Sequence, residues 1–131
     1  MDENTATVLM VEDNEQLNKL YSKALAHIGL RTVQAGSGRQ AIEQLSRLVP
    51  DVVLLDMVMK DGDGRDVIKY MKTQPRLSRT EIVIVSGGGK QFEDYAKAEG
   101  IDYFLQKPVP VGTLIDFVQN LISQPVEARA G

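Results

Sequence analysis

The chain has 131 residues, 43% of them hydrophobic, and a formal net charge of −3. This length suits one domain, and the acidic balance argues against direct binding to nucleic acid or to an anionic membrane surface. The absence of cysteine excludes disulfides and thiolate metal sites. No apolar run approaches the ~18 residues of a membrane span, and Met1 is followed by acidic residues rather than by a signal peptide. We therefore expect a cytoplasmic protein.

The first predicted strand leads directly into an acidic pair. Residues 7–11 form an apolar run typical of a strand buried on both faces, and Glu12 and Asp13 follow it. A helix is predicted next and ends near Gly29. Its apolar residues recur at the spacing of one helical face and are Leu17, Leu20, Tyr21, Ala24, Leu25 and Ile28.

The next segment leads to a single carboxylate. A short, half-polar strand at residues 32–35 is expected at a sheet edge, and Ser37 with Gln40 predicts a capped second helix. The apolar run 52–55 then predicts a central buried strand that ends at Asp56. Because a buried Asp is rare unless it is paired or bound, Asp56 predicts partners elsewhere in the chain.

The second half of the chain continues the alternation. A third helix precedes Pro75, a β-branched strand at 82–85 ends at Ser86, and a fifth strand at 101–105 leads to Lys107. The inward residues of the fourth and fifth helices are predicted to be Phe92, Tyr95, Ala96 and Ala98, and Leu114, Phe117, Val118, Leu121 and Ile122. Five strands alternating with five helices predict an α/β fold, a doubly wound parallel sheet with right-handed crossovers.

Polar residues follow four of the predicted strands. In a parallel sheet the carboxyl ends share one edge, so these residues are expected to converge there: Glu12, Asp13, Asp56, Ser86 and Lys107. Clustered carboxylates repel unless a cation relieves them, and an all-oxygen ligand set fits Mg²⁺ best. A metal ion, a carboxylate nucleophile, a lysine and a hydroxyl together indicate phosphoryl transfer to Asp56.

Each of these residues also has a simpler interpretation. Asp56, taken alone, is equally consistent with a residue that only ends a strand. The acidic pair is consistent with a helix N-cap supplied by Asp13 or Asn14. Lys107 is consistent with an ordinary surface lysine, and Ser86 with an ordinary loop residue. Residues 61–64 suggest a calcium loop, but Arg65 stands at a required acidic position, so a turn is expected. The occurrence of all the partners in order favours the phosphoryl-transfer site.

With these residues in place, the sequence resembles the receiver domain of two-component response regulators. The resemblance covers about residues 6 to 124, leaving flexible termini at 1–5 and 125–131. It depends on the acidic pair, on Asp56 with Gly64 eight residues later, on Ser86 followed by glycine, and on Lys107-Pro108. It implies a flavodoxin-like fold of five helices around a five-stranded parallel sheet in the order 2-1-3-4-5.

The resemblance also implies roles for individual residues. Asp13, Asp56 and the backbone carbonyl of Val58 would hold Mg²⁺, with Glu12 acting largely through water. Asp56 would accept the phosphoryl group, and Ser86 and Lys107 would hold its oxygens. Phe104 matches the aromatic residue that turns inward when Ser86 is drawn to the phosphoryl group, so Ser86 and Phe104 form the implied switch.

The chain departs from the family pattern at several positions. Lys60 stands where the family usually has proline, so loop mobility and metal affinity are expected to differ. Three glycines follow Ser86, which predicts that the fourth helix starts late or is mobile because glycine is a poor helix former. Phe104 replaces the commoner tyrosine. Val58 and Gly88 match two positions thought to tune dephosphorylation, and neither carries a group that positions water.

The leading hypothesis is a single-domain response regulator that receives phosphate from a sensor histidine kinase or a histidine phosphotransfer protein. It would signal to a downstream protein through the surface of the fourth helix, fifth strand and fifth helix, as a monomer or a phosphorylation-dependent dimer. We expect no enzyme turnover of a small substrate. One alternative is a binding module that keeps the fold but signals without phosphorylation. Another is a small phosphatase with an Asp nucleophile, which Val58 disfavours because such enzymes usually have a second acid there.

Overall fold

A computed structural model describes residues 5–60 and 62–124. The predicted flexible termini, apart from Thr5, lie outside the described residues, as does Asp61 at the start of the predicted turn. Every helix in the described part of the chain is too short or too polar to span a bilayer.

Strands and helices alternate along the chain, as predicted. In chain order the elements are β1 (Thr7–Val11), α1 (Glu15–His27), β2 (Arg31–Ala35), α2 (Gly38–Leu45), β3 (Val52–Leu55), β4 (Val58–Met59), β5 (Gly62–Asp63), α3 (Gly64–Lys72), a 3-10 turn (Pro75–Leu77), β6 (Glu81–Ser86), α4 (Lys90–Ala98), β7 (Tyr103–Gln106) and α5 (Val111–Ser123).

The main sheet has five parallel strands in the order β2-β1-β3-β6-β7. The two-residue strands β4 and β5 form a separate antiparallel ribbon between β3 and α3, pairing Val58 with Asp63. When the strands of this ribbon are not counted, the order is the predicted 2-1-3-4-5. No sequence pattern predicted the ribbon, because two pairs of residues are too few to show an alternating pattern.

The sheet separates two hydrophobic cores, as the alternation of side chains along its strands requires. From β1, Leu9 and Val11 pack with α2, α3 and α4 on one face. Val8 and Met10 pack with α1 and α5 on the other face. All of β3 is fully buried, which confirms that the apolar run before Asp56 is the central strand.

Several predicted details are wrong. Leu20 is 51% exposed, because the inward stripe of α1 also contains the buried polar residues Asn18 and Ser22. Ala98 is exposed at the end of α4. The fifth strand begins at Tyr103 rather than at residue 101.

Side-chain caps and a glycine determine where four of the helices begin. Asn14, Ser37 and Asp63 cap α1, α2 and α3 with their side chains, each satisfying an N–H that the helix leaves unbonded. Helix α4 begins only at Lys90, after Gly89 with φ of 85°, a conformation that favours glycine. The late start predicted from the three glycines is therefore confirmed.

Candidate functional site

The ends of β1, β3 and β7 place three charged side chains in direct contact. Lys107 Nζ donates hydrogen bonds to Glu12 Oε1 at 2.5 Å and to Asp56 Oδ2 at 3.1 Å. Both carboxylates are nearly inaccessible, with 2% of Glu12 and 5% of Asp56 exposed. Residues separated by up to 95 positions in sequence therefore meet at the edge where parallel strands end.

Three carboxylates share this edge with Lys107. One oxygen each of Glu12, Asp13 and Asp56 lies within 4.8 Å of the others. Their negative charges exceed the single positive charge of the lysine, which leaves the cluster able to accept a further cation. An oxygen-only donor set of this kind fits a hard divalent ion such as Mg²⁺. The residues present therefore suit the metal that the sequence implied.

Burial and pairing act in opposite directions on the ionisable groups of the site. Burial raises the pKa of the Glu12 carboxyl above its ordinary value, and the hydrogen bond from Lys107 offsets only part of this effect. Burial alone would lower the pKa of Lys107, but hydrogen bonding to Glu12 and the charge of Asp56 outweigh it and raise that pKa. Lys107 is therefore a firmly protonated cation between two carboxylates.

Backbone contacts hold Asp56 in place. Its N–H donates to Val11 O at 3.1 Å, and its Oδ1 accepts from the N–H of Val58 at 3.1 Å. Gly64 packs so closely beneath residues 56–57, which we call the acceptor loop because Asp56 is the predicted acceptor, that an added Cβ would lie 2.6 Å from Met57 Sδ and 3.0 Å from Asp56 O. A residue larger than glycine at position 64 would displace this loop, which explains why the sequence has Gly64 there.

The buried amide of Asn18 holds the turn that carries Glu12. Its Nδ2 donates to Glu12 O and Ala35 O at 3.0 Å and to Met10 O at 3.3 Å. Its Oδ1 accepts from Ser22 Oγ at 3.0 Å. Sequence reasoning missed Asn18, although its position between Leu17 and Tyr21 on the inward stripe of α1 was an available signal.

Lys60 contacts the acidic pair through its backbone. Its N–H donates to Asp13 Oδ2 at 2.9 Å, so the loop after Asp56 is tied to the turn after β1. Proline has no N–H and makes no such bond. The departure noted at position 60 therefore adds a specific contact at the site.

Ser86 lies at the end of β6 with its side chain fully buried. Its Oγ accepts a hydrogen bond from the N–H of Gly88 at 3.1 Å, and its backbone oxygen accepts from Lys107 N at 3.0 Å. The structure thus brings Ser86 beside Lys107 through the backbone, while the hydroxyl contacts residues 87–89, which we call the glycine loop. Phe104 pairs with Ile84 in the sheet and packs half-buried against the core; its switch role stays a prediction.

An unpredicted cluster joins α3 to α4 beside the glycine loop. The guanidinium of Arg65 lies 5.4 Å from the ring centre of Phe92 and 5.2 Å from that of Tyr95, distances typical of cation–π contacts. Arg65 also pairs with Asp63 at 3.2 Å. We call Arg65, Phe92 and Tyr95 the ring cluster. The sequence did not reveal it, because its members belong to different helices.

The simpler interpretations can be compared with these contacts. Asn14 caps α1 by accepting from the N–H of Leu17 at 3.0 Å, and its own N–H donates to Glu12 Oε2 at 3.1 Å. A helix cap and the acidic cluster therefore coexist. Asp63 caps α3, and Gly62 and Asp63 form one strand of the short ribbon, so the turn expected at residues 61–64 is wrong for 62–64, while Asp61 lies outside the described residues. Lys107, with contacts to two buried carboxylates, is not an ordinary surface lysine.

Comparison with known proteins gives consistent matches. The family model of the response regulator receiver domain matches residues 8–119. The polar-differentiation response regulator DivK of Brucella ovis is 26% identical over 119 residues, covering 90% of this chain and 97% of DivK. The chemotaxis protein CheY4 of Vibrio cholerae superposes with a TM-score of 0.82 at 26% identity, covering 88% of this chain and 98% of CheY4.

A further match concerns the fold alone. The receiver domain of the sensor histidine kinase PA1611 of Pseudomonas aeruginosa, which has a magnesium ion coordinated in its active-site cleft, superposes with a TM-score of 0.80 at 23% identity. The alignment covers 92% of this chain and 99% of that domain.

Proposed function

The chain belongs to the response regulator receiver family, and we propose that it accepts a phosphoryl group on Asp56 from a phosphohistidine donor. The observation that carries the proposal is the contact of Asp56 with Lys107 in a cluster of three carboxylates. This arrangement offers a nucleophile, a fixed positive charge and ligands for a divalent ion within one shallow site.

The chemistry follows from the two oxygens of Asp56. One carboxylate oxygen attacks the phosphorus of the donor and forms an acyl phosphate. The bond between phosphorus and the imidazole nitrogen breaks, and its electron pair stays on that nitrogen. Lys107 lies 3.1 Å from Asp56 Oδ2, so its ammonium group stabilises the negative charge on the transferred oxygens. Ser86 is the hydroxyl donor that we assign to another of these oxygens.

Glu12, Asp13 and Asp56 are the side chains that would hold Mg²⁺, together with the carbonyl of Val58. When bound, the ion neutralises charge on the phosphoryl oxygens and on the carboxylates. Glu12 and Lys107 keep the acceptor in a defined position, since Lys107 bonds both carboxylates at once. The backbone N–H of Val58 orients the second oxygen of Asp56.

The proposed partners are a sensor histidine kinase or a histidine phosphotransfer protein as donor, and a downstream protein as target. The acyl phosphate would carry about 1.5 to 2 negative charges in place of the single charge of the carboxylate, which would draw Ser86 and Lys107 inward and repack Phe104. The surface of α4, β7 and α5 would then change its affinity for the target. We propose that this occurs in the cytoplasm without turnover of a small substrate, in a monomer or a phosphorylation-dependent dimer.

Incubation with acetyl phosphate and Mg²⁺, followed by intact mass measurement, tests the proposal. We expect one added phosphoryl group in the wild type and none in Asp56→Asn or with excess EDTA. Asp51→Asn is a matched control, because Asp51 accepts a hydrogen bond from the N–H of Thr7 at the opposite end of the sheet. An unmodified wild type, or an undiminished adduct in Asp56→Asn, would contradict the proposal.

A second candidate is a module that binds partners without phosphorylation. The contacts that favour it are those of Lys107 with Glu12 and Asp56 and of Lys60 with Asp13, which already give each carboxylate a donor. Partner affinity that stays unchanged in Asp56→Ala and in EDTA would support this candidate over phosphorylation.

A further inference from the structure

The loop after Ser86 contains three successive glycines, and an aromatic ring packs against the second of them. A Cβ built on Gly88 would lie 2.0 Å from Cε2 and 2.1 Å from Cδ2 of Phe92. The ring of Phe92 therefore occupies the space that a side chain at position 88 would need. Phe92 itself is only 6% exposed.

Gly88 is in direct contact with Ser86, one of the residues of the candidate site. The N–H of Gly88 donates to Ser86 Oγ at 3.1 Å, and a Cβ on Gly87 would lie 3.6 Å from Cβ of Lys107. Glycine loses more backbone freedom on ordering than any other residue. Without a group packed against it, a run of three glycines would not hold the Ser86 hydroxyl in one orientation.

Arg65 fixes the ring in turn. Its guanidinium contacts both Phe92 and Tyr95, and it follows Gly64, whose N–H donates to Met57 O at 3.1 Å in the acceptor loop. The ring cluster therefore links the loop that carries Asp56 to the loop that carries Ser86. It lies outside the hydrogen-bonded group of Glu12, Asp56 and Lys107.

We propose that Phe92 is a positioning residue for Ser86, and that Arg65 supports it by holding the ring against Gly88. The inference rests on the proposed phosphorylation of Asp56 and names a part of that function that lies outside the carboxylate site. Phe92 does not touch the reacting atoms. It keeps the glycine loop in the conformation from which the Ser86 hydroxyl meets the phosphoryl group.

The test measures phosphorylation by acetyl phosphate at saturating donor and Mg²⁺, separately from Mg²⁺ affinity. In Phe92→Ala we expect the rate constant to fall about tenfold, since a loosened donor loses part of the stabilisation that a fixed donor gives. Mg²⁺ affinity stays as in the wild type. Phe92→Tyr, which keeps the ring, restores the rate, and Arg65→Gln lowers it about threefold through loss of an exposed cation–π contact.

Epistasis separates positioning from general destabilisation. In a Ser86→Ala background, Phe92→Ala is expected to cause no further loss of rate, because the hydroxyl that it positions is absent. The control is Val118→Ala, a cavity in the core on the other face of the sheet, which is expected to lower stability and leave the rate constant unchanged. Amide hydrogen exchange of residues 87–89 in the unmodified protein is expected to accelerate in Phe92→Ala and not in Val118→Ala.

The possible failures are distinguishable. A wild type that takes up no phosphoryl group would overturn the proposed function and this inference with it. A wild type that is phosphorylated, with equal rates in wild type and Phe92→Ala, would overturn the positioning role alone. Losses that multiply in the Ser86→Ala background would likewise overturn it, because they would show that Phe92 acts independently of Ser86.

Discussion

The two halves of the site are held in place by different forces. On the side of β1, the turn with Glu12 and Asp13 is fixed by directed hydrogen bonds from the Asn18 amide and the Lys60 N–H. On the side of β6, the loop after Ser86 is fixed by the volume of Phe92 against Gly88. The turn after β1 depends on donor and acceptor chemistry, whereas the glycine loop depends on shape in addition to the hydrogen bond from the Gly88 N–H to Ser86 Oγ. Substitutions that remove polar atoms and substitutions that change size should therefore affect opposite halves.

The largest effect is expected at Asn18. Asn18→Ala removes the amide donor of three carbonyls and leaves buried acceptors under-bonded, so the free energy of unfolding should fall by about 2–3 kcal/mol. Mg²⁺ affinity should fall as well, because Glu12 and Asp13 follow this turn. Urea unfolding and calorimetric Mg²⁺ titration measure the two effects.

Thr80→Val is the control for that prediction. It removes one buried hydrogen bond, from Thr80 Oγ1 to Pro50 O at 2.7 Å, at the opposite end of the sheet. It should destabilise the protein without weakening Mg²⁺ binding. Equal Mg²⁺ affinity in Asn18→Ala and the wild type would contradict the view that the amide organises the acidic half.

The loop after Ser86 should be destabilised when volume is added to it. Gly88→Ala places a methyl group within the ring of Phe92, so we expect a loss of about 1–2 kcal/mol in the free energy of unfolding, as for other overpacked sites. In a double-mutant cycle, Gly88→Ala should lower the free energy of unfolding by less in a Phe92→Leu background, because the smaller leucine side chain can move away from the added methyl group. Gly112→Ala is the control, since an added Cβ there meets nothing within 4 Å. Additive losses in the cycle would contradict direct contact between residue 88 and the ring.

Lys60 allows the backbone bond to be separated from the side-chain charge. Lys60→Ala keeps the N–H that Asp13 accepts and removes only the charge. Lys60→Pro removes both and should cost about 1 kcal/mol more, the usual net contribution of one hydrogen bond. Thermal or urea unfolding of the pair in EDTA measures the difference. Identical stability of the two variants would show that the bond contributes nothing.

The smallest effect concerns pH. The pKa of Glu12 is raised in the folded protein, chiefly by burial, so its contribution to stability is fully present below its unfolded pKa and is lost as pH rises through the folded pKa. Lys107→Met removes a hydrogen bond that lowers this pKa, so the Glu12 midpoint should move further upward. Carbon-detected NMR titration in EDTA follows the Glu12 carboxyl directly. A midpoint that falls in Lys107→Met would contradict the assigned contact.

The sequence was sufficient for those features that side-chain patterns encode. The apolar run before Asp56 identified the central strand, and the parallel topology then required Glu12, Asp56 and Lys107 to meet. It was not sufficient where backbone groups or contacts between distant helices decide the structure. A residue pattern does not show which backbone N–H, such as that of Lys60, will bond a carboxylate. The ring cluster depends on the distance between α3 and α4, which a residue pattern also does not show. Leu20 was misassigned because polarity alone did not reveal that Asn18 takes the inward position.

The hydrogen bonds from Lys107 to Glu12 and Asp56 affect how the site would bind a charged ligand. The ammonium group of Lys107 is a counterion to both carboxylates, so the pocket already contains a positive charge before a ligand binds. Under the proposed function, a divalent ion or phosphoryl group that bound here would replace Lys107 as the partner of a carboxylate rather than simply add to the site. Lys107, released from one carboxylate, would then be free to contact the ligand, so ligand binding and reorientation of this side chain would be coupled.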